Sequence, residues 1–390
     1  MKQFFFTISY LLVLNVANSQ SALTIRGVIL RSSDSLPIYN AHIYFERKDI
    51  GTTSNEEGRF IFHFPNKYED ENIQISSIGY KSYALSAFSY AKSQIIYLTE
   101  DQYLLDEITI TAIDPIEILE NAINKLSENY NQKKFTKTLY YKEYLKRDER
   151  PLRYLEIVAD LTASGFSNKR KYPDTYKVGL IEKRVGFNSD TTYEEGGNGI
   201  GVLHWLFWSE QYFKKKKLKD YQIEYIGQSQ FLNQKVYHIL LKKASKNKIE
   251  TSIYITKDNY AIVAISYSYI NSNRELPSSK QKFRFLKFIQ YADFQKSDDG
   301  YWYINSIDDY REAISSEGVI TEIKRSIRVT SINPNDKLNI KNKITRETDL
   351  YKYQVPYNPE FWKNYNAPPE TEEEKRIKAE LIQQELNLEN

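Results

Sequence analysis

The sequence predicts a mainly β protein: an N-terminal β-sandwich followed by a larger curved antiparallel sheet with a few helices. Three observations predict it. Tyrosine occurs 33 times and aromatic residues make up 14% of the chain, a bias toward the pleated, half-buried surfaces of strands. Apolar and polar residues alternate with period two in successive runs, as in Val263, Ile265, Tyr267 and Tyr269 against Ser266 and Ser268. Turn signals divide the runs, among them Lys257-Asp258-Asn259, Ser297-Asp298-Asp299-Gly300 and Ser316-Glu317-Gly318.

In chain order, residues 1–19 read as a signal peptide. Lys2 supplies the positive start, and Phe4 to Val16 is an apolar run broken only by Thr7, Ser9 and Asn15. Ala17-Asn18-Ser19 offers the small residues of a cleavage site, placed before Gln20. The run is shorter than a membrane span requires, so the mature chain is expected to be exported, in the periplasm or associated with the outer membrane. There is no cysteine, which excludes disulfides, thiol catalysis, iron–sulfur clusters and cysteine zinc sites. It also excludes a lipid anchor built on an N-terminal cysteine. No later run approaches the ~18 apolar residues of a transmembrane helix. The net charge of +3, from 54 basic and 51 acidic residues, gives no basis for a nucleic-acid partner.

Residues 20–112 read as short strands between turns. Leu23 to Ile29 opens the series, and Pro37 precedes a strand with Ala41, Ile43 and Phe45 on one face. The polar turn Asn55-Glu56-Glu57-Gly58 leads into a strand with Phe60, Phe62 and Phe64 on one face. Ile73 to Ser76 and Ile95 to Leu98 follow. Six motifs, in this order, resemble the carboxypeptidase-regulatory-like domain: Gly27-Val28, Pro37 to Ile43, Gly51-Thr52-Thr53, Glu57-Gly58-Arg59-Phe60, Ile75 to Lys81, and Leu105 to Ile110. The resemblance covers about a quarter of the chain. It implies a seven-stranded, transthyretin-like sandwich, a module often found at the N-terminus of TonB-dependent receptors of the Gram-negative envelope, and it implies no peptidase activity. In those receptors the ending that resembles Leu105 to Ile108 leads to a plug and barrel, for which this chain has no room.

Residues 113–350 read as an antiparallel β-rich domain with a leading helix. Asp114 is the expected N-cap and Pro115 the first helical residue, with Ile116, Leu119, Ile123 and Leu126 as the apolar stripe. Strands are expected over Phe135 to Lys146, Leu152 to Gly165, Val236 to Leu241, Thr251 to Thr256, Ala261 to Ile270 and Val319 to Val329, each with one buried and one wet face. The pattern weakly resembles the periplasmic lipoprotein carriers, whose half-open barrel wraps helices and an apolar cavity. Residues 351–390 form a tail in which Glu370 to Leu388 is a charged helix candidate.

No catalytic or cofactor-binding residue, metal ligand or cofactor is expected. His42, His63, His204 and His238 show no metal-ligand spacing, and His42 and His63 read as partly exposed strand residues. There is no Gly-x-Ser-x-Gly, and Gly196 to Gly201 lacks the Gly-Lys-Ser/Thr ending of a phosphate loop. Asn55 to Gly58 reads as a plain turn rather than a calcium loop. The candidate ligand or membrane contact is Trp205, Phe207 and Trp208, set between a glycine loop and the Lys214 to Lys217 run. The leading expectation is a non-catalytic envelope protein that binds a protein partner or an apolar ligand. A periplasmic lipid or lipoprotein carrier is the second reading and predicts a continuous apolar cavity. An undetected hydrolase is the third and predicts an acid–base pair in a cleft.

Overall fold

Among the described residues seven short strands form the N-terminal module: β1 Ala22–Arg31, β2 His42–Phe45, β3 Gly51–Thr53, β4 Arg59–Pro65, β5 Asn72–Ser76, β6 Tyr83–Ser86 and β7 Ser93–Leu98. The computed structural model describes residues 22–46, 48, 50–91, 93–101, 114–163, 177–189, 218–243, 245, 247–273, 275–277, 283–334, 340–345 and 348–389. The strands make two sheets, β4-β1-β7 and β3-β2-β5-β6, as expected of a sandwich. Phe60, Phe62 and Phe64 alternate into its core, where Phe45 packs on Phe62 and Phe64 at 5.5 and 5.3 Å between ring centres. The turn before β4 is built by Asn55, whose Oδ1 accepts from the N–H groups of Glu57 and Arg59. Gly58 closes it at φ +70°, where an added Cβ would lie 2.4 Å from the Ile29 carbonyl oxygen.

Asp114 caps α1 (Pro115–Asn124) as expected, its Oδ1 accepting from Ile116 N–H at 2.8 Å. A short α2 (Leu126–Asn129) continues the chain. Leu119 and Leu126 are buried as expected and Ile123 packs against the same cluster, but Ile116 is exposed and Ile118 and Ala122 are buried in addition. Tyr130 is buried in the same cluster and donates its hydroxyl to the Ile262 carbonyl at 2.5 Å, which fixes how the helix end is turned toward the sheet.

The large sheet has eleven strands among the described residues: β8 Phe135–Arg147, β9 Arg150–Ala163, β10 Lys177–Asn188, β11 Tyr221–Phe231, β12 Gln234–Lys243, β13 Lys248–Thr256, β14 Ile262–Ile270, β15 Phe283–Lys296, β16 Trp302–Ser315, β17 Ile320–Asn333 and β18 Lys343–Ile344. Their order is β11-β12-β13-β14-β15-β16-β17-β8-β9-β10-β18, antiparallel throughout. The hairpin turns at Asp148-Glu149 and Leu232-Asn233 hold both residues at positive φ, the geometry that matches strand twist.

One face of this sheet carries α1 and α2 and is called the helix-bearing face. Cross-strand partners Ile253, Ile265, Ala292, Ile307, Ile327 and Tyr141 form a continuous apolar row on it. The α1 and α2 side chains cover the β11–β14 half, and Ile344 and Leu350 pack on the β8–β10 half. The opposite face was expected to be wet, and over β8 and β9 it is buried as well. The sandwich and the tail cover it. In the tail, α3 (Pro359–Lys363) sets Trp362 against Tyr140, and α4 (Glu372–Glu389) sets Ile377 and Leu381 against Tyr144 and Tyr154. Alternation predicted these strands correctly, but a second covering layer leaves no period-two signature that separates it from water.

Candidate functional site

The buried seam between sandwich and sheet is built on two charged groups. Asp293 of β15 is fully buried. Asn40 Nδ2 donates to it at 2.9 Å, Asn305 Nδ2 at 3.1 Å, and the Ser306 hydroxyl donates as well. His42 Nε2 lies 3.2 Å from Asp293 Oδ2. Burial opposes ionisation of this carboxyl, yet the charge and hydrogen bond of His42, with those of Ser306 and Asn305, hold it below the usual carboxylate range. Beside it, Arg328 of β17 donates both ends of its guanidinium to Asp308, at 2.9 and 3.2 Å, and reaches Thr53 and Tyr39 of the sandwich at 2.9 and 3.0 Å. His42 is therefore a buried interface residue, not the partly exposed strand residue expected: the second layer that buries this face also buries it. A cavity of about 30 Å³ beside the pair is lined by His42, Thr52, Asn305 and Arg328, enough for an ordered water near the unpartnered Thr52 hydroxyl.

His42, Asp293 and Ser306 are the residue types of a hydrolytic triad, but the wiring differs. Ser306 donates to the carboxylate rather than to the imidazole, and all three side chains are buried. Such a cluster holds two layers together and exposes no nucleophile. Among the described residues no group of three His, Asp or Glu side chains is placed to hold a metal ion.

The helix-bearing face carries a second charged row. Glu143, Arg325, Asp309 and Gln290 are successive cross-strand neighbours on β8, β17, β16 and β15. Arg325 pairs with Glu143 and, at 3.3 Å, with Asp309, and Tyr351 donates to Glu143 at 2.5 Å. Burial opposes the charge on Glu143, but Arg325 and the Tyr351 and Tyr141 hydroxyls hold it below the carboxylate range. Gln290 gives its amide to Asp309 at 2.7 Å and leaves its buried Oε1 without a partner. Beyond this row an aromatic ladder runs toward the sheet end: Tyr267 edge-on to Phe288, Phe288 stacked near Phe285, and Phe285 edge-on to Phe283. Arg311 lies 4.8 Å over the Phe288 ring. On the same face, Lys137 is buried opposite Leu161 and Ile332, with no carboxylate beside it among the described residues, and burial pulls its pKa down to about 8.

The expected contacts Trp205, Phe207 and Trp208 lie outside the described residues, as do His204, the glycine loop, the Lys214 to Lys217 run, the Leu105 to Ile110 motif and residues 1–21. The charged rows and Lys137 were not singled out. Each leaves the same trace in the sequence, a charged or amide residue in phase with an apolar stripe: Lys137 and Glu143 with Leu139 and Tyr141, Arg325 with Ile323 and Ile327.

Residues 25–110 match the CarboxypepD_reg-like domain family, which fits the two-sheet sandwich built by β1 to β7. The match ends before the large sheet, and no curated protein matches the chain. Among solved structures the chain is similar to a DUF1329 family protein from Desulfovibrio piger, at 11% identity and TM-score 0.24 over 58% of this chain and 95% of that one. It is similar to a domain named for outer membrane lipoprotein sorting from Vibrio parahaemolyticus, at 12% identity and TM-score 0.25 over 58% and 95%. A third similarity is to a chain of the MucA/MucB complex of Pseudomonas aeruginosa, at 11% identity and TM-score 0.20 over 57% and 99%. Scores of this size carry no function to this chain.

Proposed function

We propose that the chain is a non-catalytic, exported envelope protein that binds an apolar ligand or an apolar partner segment on the helix-bearing face of its large sheet. The observation that carries this reading is the aromatic ladder of Tyr267, Phe288, Phe285 and Phe283, which runs from half-buried to exposed at the end of that face. The sandwich acts as a fixed platform on the other face, tied down by the Asp293 and Arg328 clusters. Trp205, Phe207 and Trp208 are proposed as further contacts of the same ligand. In this reading the exported chain works in the periplasm or at the outer membrane. Among the described residues, no helix is long and apolar enough to cross a membrane.

Native mass spectrometry of the exported chain, purified without detergent, tests this. A bound species that disappears on organic extraction, and is weakened in Phe288→Asp and in Trp205→Ala/Trp208→Ala, is the expected result. A clean apoprotein mass, with no apolar compound binding on addition, overturns ligand binding.

A further inference from the structure

We propose that residues 358–386 form a displaceable strap, and that the groove beneath it docks an acidic amphipathic helix of a partner protein in the strap's place. The strap touches both the sandwich and β8–β10. Four ion pairs cross the contact among the described residues: Lys142 with Glu374 at 2.5 Å, Lys146 with Glu373 at 3.1 Å, Arg59 with Glu372 at 3.4 Å and Arg184 with Glu370 at 3.5 Å. In each the strap supplies the carboxylate and the body the cation, which is the complementarity that fits an acidic segment. Body carboxylates share two of these cations, Glu156 with Arg184 and Glu149 and Glu322 with Lys146, so no single pair holds the strap. The apolar part is small: Ile377 and Leu381, one turn apart, meet Tyr144 and Tyr154, and Trp362 meets Tyr140 and Val158.

Three features make the strap removable. Its helix α4 starts from its own residues: Thr371 Oγ1 accepts from Glu374 N–H at 3.1 Å, and Glu374 Oε2 accepts from Thr371 N–H at 2.9 Å, a reciprocal cap that needs nothing from the body. The chain that leads into it, residues 353–358, holds no helix or strand, and Pro356 to Asn358 are exposed. Its seat is imperfect. The Tyr140 hydroxyl, Trp362 Nε1 and Glu182 Oε2 are buried without a hydrogen-bond partner among the described residues. Tyr140 and Glu182 flank Val158 across β8, β9 and β10, and Trp362 packs on the same cluster, so the three orphans mark one weak point under the strap. Opening the strap also frees the edge of β4. Asn366 now caps that edge, accepting from His63 N–H at 2.7 Å and donating to the His63 carbonyl at 2.9 Å. The Asp293 and Arg328 clusters lie outside the strap and keep the sandwich on the sheet while it is open.

The inference does not depend on ligand binding by the helix-bearing face. Its first test is hydrogen–deuterium exchange on the full wild-type chain at low and high salt. Amides of α4 are expected to exchange at least about tenfold faster than those of β8, with the gap widening as salt screens the ion pairs. Exchange in α4 as slow as in β8 at both salt concentrations overturns the strap. The second test is fluorescence anisotropy of a labelled peptide of residues 358–386 added to the full chain. Ile377→Asp/Leu381→Asp loosens the chain's own strap, and this variant is expected to bind the peptide at least about tenfold more tightly than wild type, whose tethered strap competes. Glu370→Gln/Glu373→Gln/Glu374→Gln in the peptide is expected to weaken binding at least about tenfold. No binding to the variant, or binding that ignores those glutamates, overturns docking of an acidic helix. Wild-type dimers that the peptide dissociates would assign the groove to the strap of a second copy and overturn the partner protein.

Discussion

Replacing Asp293 by alanine removes the acceptor at the centre of the seam. Three donors, from Asn40, Asn305 and Ser306, then lose their partner in a buried interface, and His42 Nε2 loses the carboxylate 3.2 Å away. Breaking a buried pair by deleting one member costs about 3–5 kcal/mol, a large fraction of a total stability of about 5–15 kcal/mol. His42→Phe keeps the edge-on contact with Phe231, seen at 5.2 Å, and removes only the polar half. A double-mutant cycle between the two positions is expected to give a coupling of about 1.5–3 kcal/mol, the value of a hydrogen bond to a charged group. Urea unfolding followed by far-UV circular dichroism and tryptophan fluorescence measures both. The pH dependence has a definite sign. The Asp293 pKa is lowered in the fold, so its contribution is present above the unfolded value of about 3.9 and is lost as pH falls through the lower folded value. A loss under about 1 kcal/mol, the range of exposed ion pairs, together with no coupling to His42, would refute the seam as a stabilising interface.

Gly58→Ala is expected to lower stability by about 2 kcal/mol or more in the same assay, because the left-handed φ and the Ile29 carbonyl leave no room for a Cβ. Lys137→Met should raise stability at pH 7. The folded amine loses its proton near pH 8 while the unfolded chain keeps it to about 10.5, so wild-type stability rises between those values by roughly 3 kcal/mol. Urea midpoints at pH 7 and pH 10 check that the variant lacks this rise. Tyr351→Phe removes the hydroxyl that Glu143 accepts from and should cost about 1–3 kcal/mol, measured as a shift in the same midpoint. A change within error would mean that Arg325 alone satisfies Glu143.

Much of the architecture was legible in the residues because it depends on local chemistry. The Phe60, Phe62 and Phe64 alternation, the Asp114 cap with Pro115 and the Gly300 and Gly318 turns each act within a few residues and leave a local pattern. β10, β11, β15 and β16 were not delimited individually, because a bulge in each shifts the phase of its apolar and polar residues partway along the strand. Burial of the back face depends on pairings across hundreds of residues, such as Asn40 with Asp293 and Thr53 with Arg328, which no spacing announces. The same long range hides the seam: His42 looks like any strand histidine until β15 is placed beneath it. Lys137 and Arg325 were readable in principle, as charges in phase with apolar stripes.

Hydrogen–deuterium exchange on the full chain, with its co-purified species bound and after organic extraction, locates binding most directly. Loss of protection on extraction should concentrate in β14 and β15, around Tyr267 and Phe283 to Phe288, with β1 to β7 of the sandwich unchanged. A change confined to the sandwich strands, or none anywhere, would contradict a binding face on the large sheet.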